Sequence, residues 1–237
     1  MDKLQLDQHI SKQFNSDLED LKTQLLEMGG LVEQQVIDAL KAIESGDSGL
    51  AERVLVNENE VDRREVKLDE DCTVVLARRQ PAASDLRLVL AVAKANRDLE
   101  RMGDEANKVA KMALALSEGG DNTKGYSEVR HIGQIVVKMI NLALDAFARY
   151  DVLTALEVAQ KDKEVDREYE SAVRELMTYM MEDPRSISRV MNAMWALRAL
   201  ERIGDHAKNI AEHIIYLVRG LDVRHISVQE LERQLKE

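Results

Sequence analysis

The sequence is poor both in the residues that build sheets and in those that break helices. Aromatic residues make up 3% of its 237 positions and there are two prolines, whereas hydrophobic residues reach 45% and charged residues 32%. Strands draw on aromatic and β-branched side chains, while Ala, Leu, Glu, Lys and Arg favour helices. This balance indicates long amphipathic helices, and the hydrophobic share is too high for a disordered chain.

Cysteine and net positive charge are also scarce. Cys72 is the only cysteine, so no disulfide can form within the chain, which fits a reducing compartment. The formal net charge is −11, which disfavours binding to nucleic acid or adsorption to anionic lipid. The N-terminus is too charged for a signal peptide, and apolar runs such as Leu88–Ala93 are too short to span a bilayer. We therefore expect a cytoplasmic protein that reaches a membrane only through partners.

Apolar residues that recur every three or four positions predict six helices. The first runs from about Leu4 to Glu44, with a soft point at the pair Gly29-Gly30. Ser84 is a candidate N-cap for the third helix, and Asp183-Pro184 predicts the start of the sixth. After Arg219 we expect a short turn and a weakly ordered tail.

The chain contains two related copies of one unit, separated by a linker at residues 117–125 that holds three glycines. The sequence LERMGDEA at 99–106 matches LERIGDHA at 200–207, an offset of 101 (201 − 100). The sequence EVDR occurs at 60–63 and again at 164–167, an offset of 104 (164 − 60). The sequence thus predicts an all-α fold of two tandem antiparallel three-helix bundles related by internal duplication. The predicted units are residues 1–118, residues 126–219 and a C-terminal tail, 220–237.

Two acidic pairs repeat in the matching motifs. Glu100 and Asp104 are one helical turn apart, so their charges repel each other unless something neutralises them. Gly103 lies beside them, and a glycine inside a helix costs about 1 kcal/mol relative to alanine. The second copy repeats the arrangement with Glu201, Gly204 and Asp205. The missing side chain allows close approach of either a facing helix or a ligand.

Further acidic pairs on the second and fifth helices could converge with these. Glu58/Asp62 and Asp162/Asp166 are again four residues apart, and clustered carboxylates without cysteine favour hard or borderline cations. Solvated helix faces explain many such pairs in a chain with 44 acidic residues. We expect metal at the matched motifs, with help from the neighbouring helices. The candidate ligands are Glu100, Asp104, Glu201, Asp205, Asp62 and Asp166.

Histidines and methionines give weaker signals. His206 follows Asp205 directly and should point away from the acidic face, so we expect it at the surface. Glu128 and His131 form the only Glu-x-x-His, whereas di-iron bundles need two. The methionines at 177, 180 and 181 favour core packing or a contact at a helix end.

The duplicated LERMGDEA and LERIGDHA motifs, together with ARRQPAASDLR at 77–87 and YMMEDPRSIS at 179–188, resemble the PhoU family over nearly the whole chain. The resemblance implies a cytoplasmic regulator that couples the phosphate ABC transporter to a membrane sensor histidine kinase. It further implies repression of phosphate-starvation genes, dimer formation, and multinuclear metal, iron in some members, at Glu100, Asp104, Glu201 and Asp205. Lys108 stands where the second copy has Asn209, and Lys111 where it has Glu212, so the ligand sets of the two copies can differ.

Three hypotheses of different kinds remain after the resemblance. The first is an adaptor without enzymatic activity that binds the kinase and the ATPase of the transporter. The second is a carboxylate-bridged metal enzyme or metal store, with iron, manganese, magnesium or zinc. The third is a plain helical scaffold, which the duplicated glycine-acid motif disfavours. We also expect a homodimer, because a thin three-helix layer leaves one broad face to bury.

Overall fold

The computed structural model describes residues 12–117 and 126–236, and these residues form helices and turns without a strand. Six long helices follow the predicted order, so the all-α fold is confirmed; residues 4–11 of the predicted first helix lie outside the described part. The helices are α1 (Lys12–Ser45), α2 (Ser48–Arg79), α3 (Ala83–Ser117), α4 (Tyr126–Arg149), α5 (Val152–Glu182), α6 (Ile187–Arg219) and α7 (Val228–Lys236).

Short polar side chains set most of the helix starts. The carboxylate of Asp47 accepts a hydrogen bond from the Leu50 amide at the start of α2, and Asp151 does the same for α5. Asp183 caps a single 3-10 turn, Pro184–Ser186, that leads into α6, as the sequence predicts. The prediction for Ser84 is wrong: α3 begins at Ala83, so Ser84 lies in its first turn.

The helices on either side of the predicted linker belong to different halves of the molecule. α3 ends at Ser117 and α4 begins at Tyr126, while residues 118–125 of the linker lie outside the described residues. The first predicted bundle consists of helices α1–α3 and the second of helices α4–α6. In the first, α2 packs on α1 and α3; in the second, α5 packs on α4 and α6.

The two bundles share one core. Helices α1, α3, α6 and α4 contact each other in a ring, with α3 against α6 and α1 against α4, and α2 and α5 lie outside it. Buried apolar residues of all six helices form one continuous cluster. The broad face that the dimer prediction assumed is therefore covered by the other half of the same chain. Dimer formation would need a different surface.

Two glycines let α1 and α4 approach each other closely. A Cβ atom on Gly29 would lie 2.3 Å from Cδ2 of Leu144, and one on Gly133 would lie 2.4 Å from Cδ2 of Leu40. Both pairs are related by the same offset of 104 (133 − 29 and 144 − 40). The contact is thus pseudo-twofold symmetric. Helix α1 continues through Gly29-Gly30, where the sequence predicted a soft point within the helix, and Leu144 lies beside Gly29.

The C-terminal segment is more ordered than predicted. Residues 228–236 form α7, which packs on α5, and the side chains of Val223 and Leu231 are buried. Gln160 of α5 donates a hydrogen bond to Glu232 of α7 at 2.6 Å. The segment gave a weak signal because α7 is short and largely polar, and its position depends on packing against α5.

Helix α4 is apolar enough to meet the criteria for a membrane span, at residues 127–149. Its apolar residues do not form one long continuous run, because polar residues interrupt them. In the structure α4 packs against α1, α5 and α6, and side chains such as Met139 and Phe147 are fully buried. A core helix of a helical bundle can have the same length and apolar composition as a membrane span, and the packing of α4 is that of a core helix.

Two of the three methionines near the end of α5 are exposed, whereas core packing was one of the two predictions for them. Met181 is 83% exposed and Met177 is 49% exposed, while Met180 packs partly against the core. They lie in the last turns of α5, which ends at Glu182. Core packing is therefore wrong for Met177 and Met181.

Candidate functional site

The predicted convergence of α2 and α3 places their acidic residues on one face in the first half. Burial raises the pKa of Glu100, and the nearby carboxylates of Asp104, Glu65 and Asp62 raise it further. Burial likewise raises the pKa of Glu58, which faces Asp104 and Asp62. The two helices therefore hold five carboxylates close enough to repel one another.

The second half repeats the cluster between α5 and α6. Burial raises the pKa of Asp205, and the carboxylate of Asp162 adds to the rise. Burial also raises the pKa of Asp166, with Asp162 and Asp205 contributing. Glu201 differs from Glu100, because Arg198 donates to Glu201 at 2.7 Å. The predicted ligands of the second half thus also share one face.

The two clusters differ at one buried position. In the second half the Nζ atom of Lys208 lies 2.6 Å from Oδ2 of Asp162. The duplication aligns Lys208 with Asn107, which is 1% exposed. Asn107 faces Glu58 and opposes the rise in its pKa, yet neither amide atom has a partner at hydrogen-bonding geometry.

A metal role for these clusters stays a prediction. Within residues 12–117 and 126–236, no group of three or more His, Cys, Asp or Glu side chains is already arranged around one point to hold an ion. The donor set of the first cluster suits a hard cation, since carboxylate and amide oxygens are its usual ligands. The second cluster fits less well, because Lys208 already brings a positive charge to Asp162.

The glycines of the two acidic motifs face side chains of neighbouring helices. A Cβ atom on Gly103 would lie 3.3 Å from Oε1 of Gln35 in α1 and 3.5 Å from Cγ1 of Val61 in α2. A Cβ atom on Gly204 would contact Met139 of α4 and Val165 of α5. Close approach of a facing helix therefore applies to Gly103, whereas an alanine at Gly204 would make only ordinary contacts, at 3.7 Å and beyond.

The prediction of a surface position for His206 is wrong. His206 is 7% exposed, and its Nδ1 atom lies 2.8 Å from Oδ1 of Asp98. His213 Nε2 lies 3.0 Å from the other oxygen, Oδ2, and the Asn209 amide donates to Oδ1 at 3.0 Å. The side chain does point away from the acidic face, but that direction leads into the contact between α3 and α6.

Asp98 is a buried charge with three partners. Burial by itself would raise its pKa, but the hydrogen bonds from His206, His213 and Asn209 together outweigh it and lower the pKa to about 2. Sequence reasoning missed this cluster. The available signal was a break in the repeat: Asp98 aligns with Ala199, and His213 aligns with Met112.

A second charged contact joins the halves nearby. Arg202 of α6 lies 3.0 Å from Oε1 of Glu105 in α3, which is 3% exposed, and Lys108 contacts the same oxygen at 2.9 Å. His131, by contrast, lies at an exposed contact of α4 and α5, 3.6 Å from Glu168. The Glu-x-x-His signal therefore belongs to a surface pair outside the two acidic clusters.

Fold and site together define an all-helical, internally duplicated protein whose halves each present an acidic face next to a shared four-helix core. The PhoU domain model matches this chain twice, at residues 25–113 and 129–214. The chain belongs to the PhoU family, which confirms the resemblance. Each match lies within one of the two predicted copies.

Relatives of known name match the chain over its whole length. It is 58% identical over 236 residues to the phosphate-specific transport system accessory protein PhoU homolog of Pseudomonas aeruginosa, covering 100% of this chain and 98% of that protein. It is 46% identical over 235 residues to the accessory protein PhoU of Escherichia coli, covering 99% and 97%.

Two crystal structures share the fold. PhoU from Pseudomonas aeruginosa superposes with a TM-score of 0.86 at 61% identity, covering 88% of this chain and 100% of that one. The phosphate transport system regulatory protein PhoU from Streptococcus pneumoniae gives a TM-score of 0.82 at 30% identity, covering 89% and 99%. The chain is thus similar in sequence and in fold to accessory proteins of phosphate transport.

Proposed function

We propose that this chain is a negative regulator, without enzymatic activity, of the phosphate-starvation response. It would couple the ATPase of a phosphate ABC transporter to a phosphate-sensing histidine kinase and control phosphate uptake. One observation carries the proposal: the chain is 58% identical over 236 residues to a protein named as an accessory protein of phosphate-specific transport. A cytoplasmic location follows from this role, with the membrane reached only through partners.

A deletion strain tests the regulatory role. We expect an alkaline phosphatase reporter to be expressed in phosphate-rich medium when the gene is deleted and to be repressed again when the full chain is supplied. Normal repression in the deletion strain would contradict the proposal. A pull-down from phosphate-replete cells then tests the partners, since the kinase and the ATPase should be recovered with the chain.

We also propose that a cation neutralises acidic residues of this chain. The candidate ligands are those predicted from the sequence: Glu100, Asp104, Glu201, Asp205, Asp62 and Asp166. The support is the crowding of carboxylates on each face, which adds to the rise in the pKa of Glu100 in the first half and of Asp205 in the second. When bound, the ion supplies positive charge that stabilises the folded chain by mass action. Iron, manganese, magnesium and zinc are the ions to test.

The alternative of a metal enzyme or metal store uses the same residues and is separated by turnover. Elemental analysis of the purified chain gives its metal content, and an oxidase or peroxidase assay follows. Metal without turnover would favour the regulator, whereas sustained turnover that is lost in Asp104→Asn would favour the enzyme.

The homodimer remains a proposal that solution measurement decides. The two halves of one chain already cover the face first considered for it, so the exposed apolar residues outside the core are the remaining surfaces. Light scattering at micromolar concentration should give a mass above 26.8 kDa. A mass equal to the monomer at all concentrations would contradict the dimer.

A further inference from the structure

Five exposed apolar side chains cluster at the end of the hairpin that α5 and α6 form. They are Met177 and Met181 of α5 together with Ile187, Met191 and Trp195 of α6, and we name this surface the hairpin patch. Trp195 is 59% exposed and Met181 is 83% exposed. Single exposed apolar residues are common, but the patch holds five of the eleven large ones that are exposed among the described residues.

The two methionines of α5 lie on the side of that helix next to α6. Asp166 marks this side, because the carboxylate of Asp205 in α6 adds to the rise in the pKa of Asp166. With 3.6 residues per turn, Met177 lies about 20° around α5 from Asp166, and Met181 lies about 60° around it. Both side chains therefore continue the line of Asp166 toward the end of the helix.

The three apolar side chains of α6 continue the line of Asp205 in the same way. Ile187 precedes Asp205 by 18 residues (205 − 187), or about five turns, so the two lie on one line along α6. Met191 and Trp195 follow Ile187 at steps of four residues, about 40° and about 80° around the helix. The apolar side chains of α5 and α6 thus share one side of the hairpin.

The two parts of the patch also lie at the same level along the hairpin. The Nζ atom of Lys208 lies 2.6 Å from Oδ2 of Asp162, and this contact fixes the register of the two antiparallel helices. Met177 is 15 residues further along α5 (177 − 162), so it is level with about residue 193 of α6 (208 − 15), within the stretch 187–195. The hairpin patch is therefore one continuous surface over the crevice between α5 and α6.

The first half lacks the methionines and the tryptophan of this surface, so the shared fold does not require them. By the offsets of the duplication, Thr73 and Ala77 take the places of the two methionines of α5 (177 − 104 and 181 − 104). Lys94 takes the place of Trp195 (195 − 101) and lies over the ring of Tyr216, 5.3 Å from its centroid. Tryptophan and methionine are enriched where protein surfaces bind partners. The patch is thus a candidate docking surface of the second half.

The charge around the patch indicates which kind of partner fits it. Residues 164–183 carry seven acidic residues and only two basic ones, Arg167 and Arg174. The last turn of α5 holds no basic residue, so nothing there offsets the negative end of the helix dipole. A second copy would bring the same acidic residues against each other, and an anionic lipid surface would be repelled. A basic amphipathic helix matches both the apolar surface and its charge.

We infer that the hairpin patch binds an amphipathic helix of a partner protein, whose apolar residues recur every three or four positions and whose edges carry lysine or arginine. This inference rests on the proposed role of the chain as an adaptor, and it assigns a surface to one of its contacts. The stretch 187–195 is about 12 Å long, so about two turns of the partner helix contact it. The flexible methionine side chains adapt to the apolar side of that helix.

Trp195 is the only tryptophan of the chain, so its fluorescence reports on the patch directly. The probe is a tryptophan-free peptide of leucine and lysine, about 18 residues long, whose leucines recur at helical spacing. Its addition to the full chain should shift the emission of Trp195 to shorter wavelengths in a saturable way, and added salt should weaken the binding. Neither a scrambled peptide of the same composition nor one with glutamate in place of lysine should cause the shift.

Substitutions that leave Trp195 in place test where the peptide binds. Met177→Gln combined with Met181→Gln removes two apolar contacts at exposed positions and should weaken binding about tenfold. Leu153→Gln is the matched control, because Leu153 is 72% exposed at the other end of α5 and its loss should leave binding unchanged. Circular dichroism verifies that each variant is folded.

The inference would be overturned if the leucine-lysine peptide caused no shift, or if the double variant or the scrambled peptide bound as well. A shift with vesicles of phosphatidylcholine and phosphatidylglycerol, but none with the peptide, would assign the patch to a lipid surface instead. A doubled mass without peptide that returns to 26.8 kDa in the double variant would assign it to a second copy. The reporter assay in the deletion strain uses no peptide, so failure here leaves the regulatory proposal standing.

Discussion

The contact between α1 and α4 can be compared with the contact between α3 and α6. At the first, each half supplies the same glycine and the same leucine, Gly29 with Leu40 and Gly133 with Leu144. At the second, Asp98 of one half binds His206 and His213 of the other, while the residue equivalent to Asp98 is Ala199. The two copies thus share the steric contact between glycine and leucine at α1 and α4. They do not share the polar contact between aspartate and histidine at α3 and α6.

The physical requirements of the two contacts explain the difference. Close approach of α1 and α4 needs a gap for a leucine on both sides of the pseudo-twofold axis, so the loss of either glycine produces a clash. A buried carboxylate needs partners only where it occurs, and a second one across the same axis would add another charge to desolvate. One charged cluster per interface therefore suffices.

The largest effect is expected from Asp98→Ala, which removes the polar contact between α3 and α6. The variant has alanine at both equivalent positions, 98 and 199. His206 and His213 then lose the carboxylate that they contact. Breaking a buried charge network of this kind costs about 3 to 5 kcal/mol. Urea unfolding at pH 7 should show this loss in the free energy of unfolding. Asp20→Ala, at an exposed aspartate, is the control. A loss of unfolding free energy in Asp98→Ala no larger than in this control would contradict the prediction.

The pH dependence of the unfolding free energy tests the same contact with a smaller expected effect. Since the folded pKa of Asp98, about 2, lies below its ordinary value of 3.8, its contribution is complete above pH 4 and is lost as the pH falls toward 2. That contribution amounts to about 2 kcal/mol for a shift of this size. The difference in unfolding free energy between wild type and Asp98→Asn should shrink between pH 5 and pH 2. A difference that stays constant over this range would rule out the assignment.

An intermediate effect is expected at the symmetric contact. Gly133→Ala and Gly29→Ala each force a leucine to move, which costs about 1 to 3 kcal/mol and is partly offset by the gain of about 1 kcal/mol from alanine in a helix. Thermal melting should show losses of the same sign in both variants. Gly30→Ala is the matched control, since nothing lies within 4 Å of its Cβ position and it should be stabilising.

The smallest effects are expected at the glycines of the acidic motifs. A Cβ atom on Gly204 would make only ordinary contacts, at 3.7 Å and beyond, so Gly204→Ala should stabilise the chain by up to about 1 kcal/mol. Gly103→Ala should gain less, because Oε1 of Gln35 must move from 3.3 Å. Melting temperatures should follow that order. Strong destabilisation by Gly204→Ala would mean that the second motif has a tighter neighbour than Met139.

Much of the fold followed from periodicity because each long helix buries one stripe of its own residues. In α2 the apolar residues at helical spacing, among them Val54, Val61, Leu68 and Cys72, are all buried. The convergence of the acidic pairs followed for the same reason, since antiparallel neighbours bring equivalent turns together. The cap at Asp183 was predictable because its hydrogen bond is local.

The failures concern contacts between residues far apart in the chain. His206 was expected at the surface because only its own helix was considered, and its partner, Asp98, is 108 residues away. Leu231 was assigned to a loose tail because α7, which carries it, packs against α5, a helix far earlier in the chain. The charge difference at Asn107 and Lys208 was present in the aligned copies, but its meaning needed the 2.6 Å contact with Asp162.

The sequence by itself determined the helices, their duplication, the acidic faces and membership of the PhoU family, because these depend on local periodicity and on the repeated motifs. Only the tertiary structure decided that the two bundles share a four-helix core, that Asp98 is buried with two histidines, and that Lys208 rather than solvent faces Asp162. The reason is physical: a helix pattern fixes which face is apolar, but which face of another helix covers it depends on packing across the whole chain.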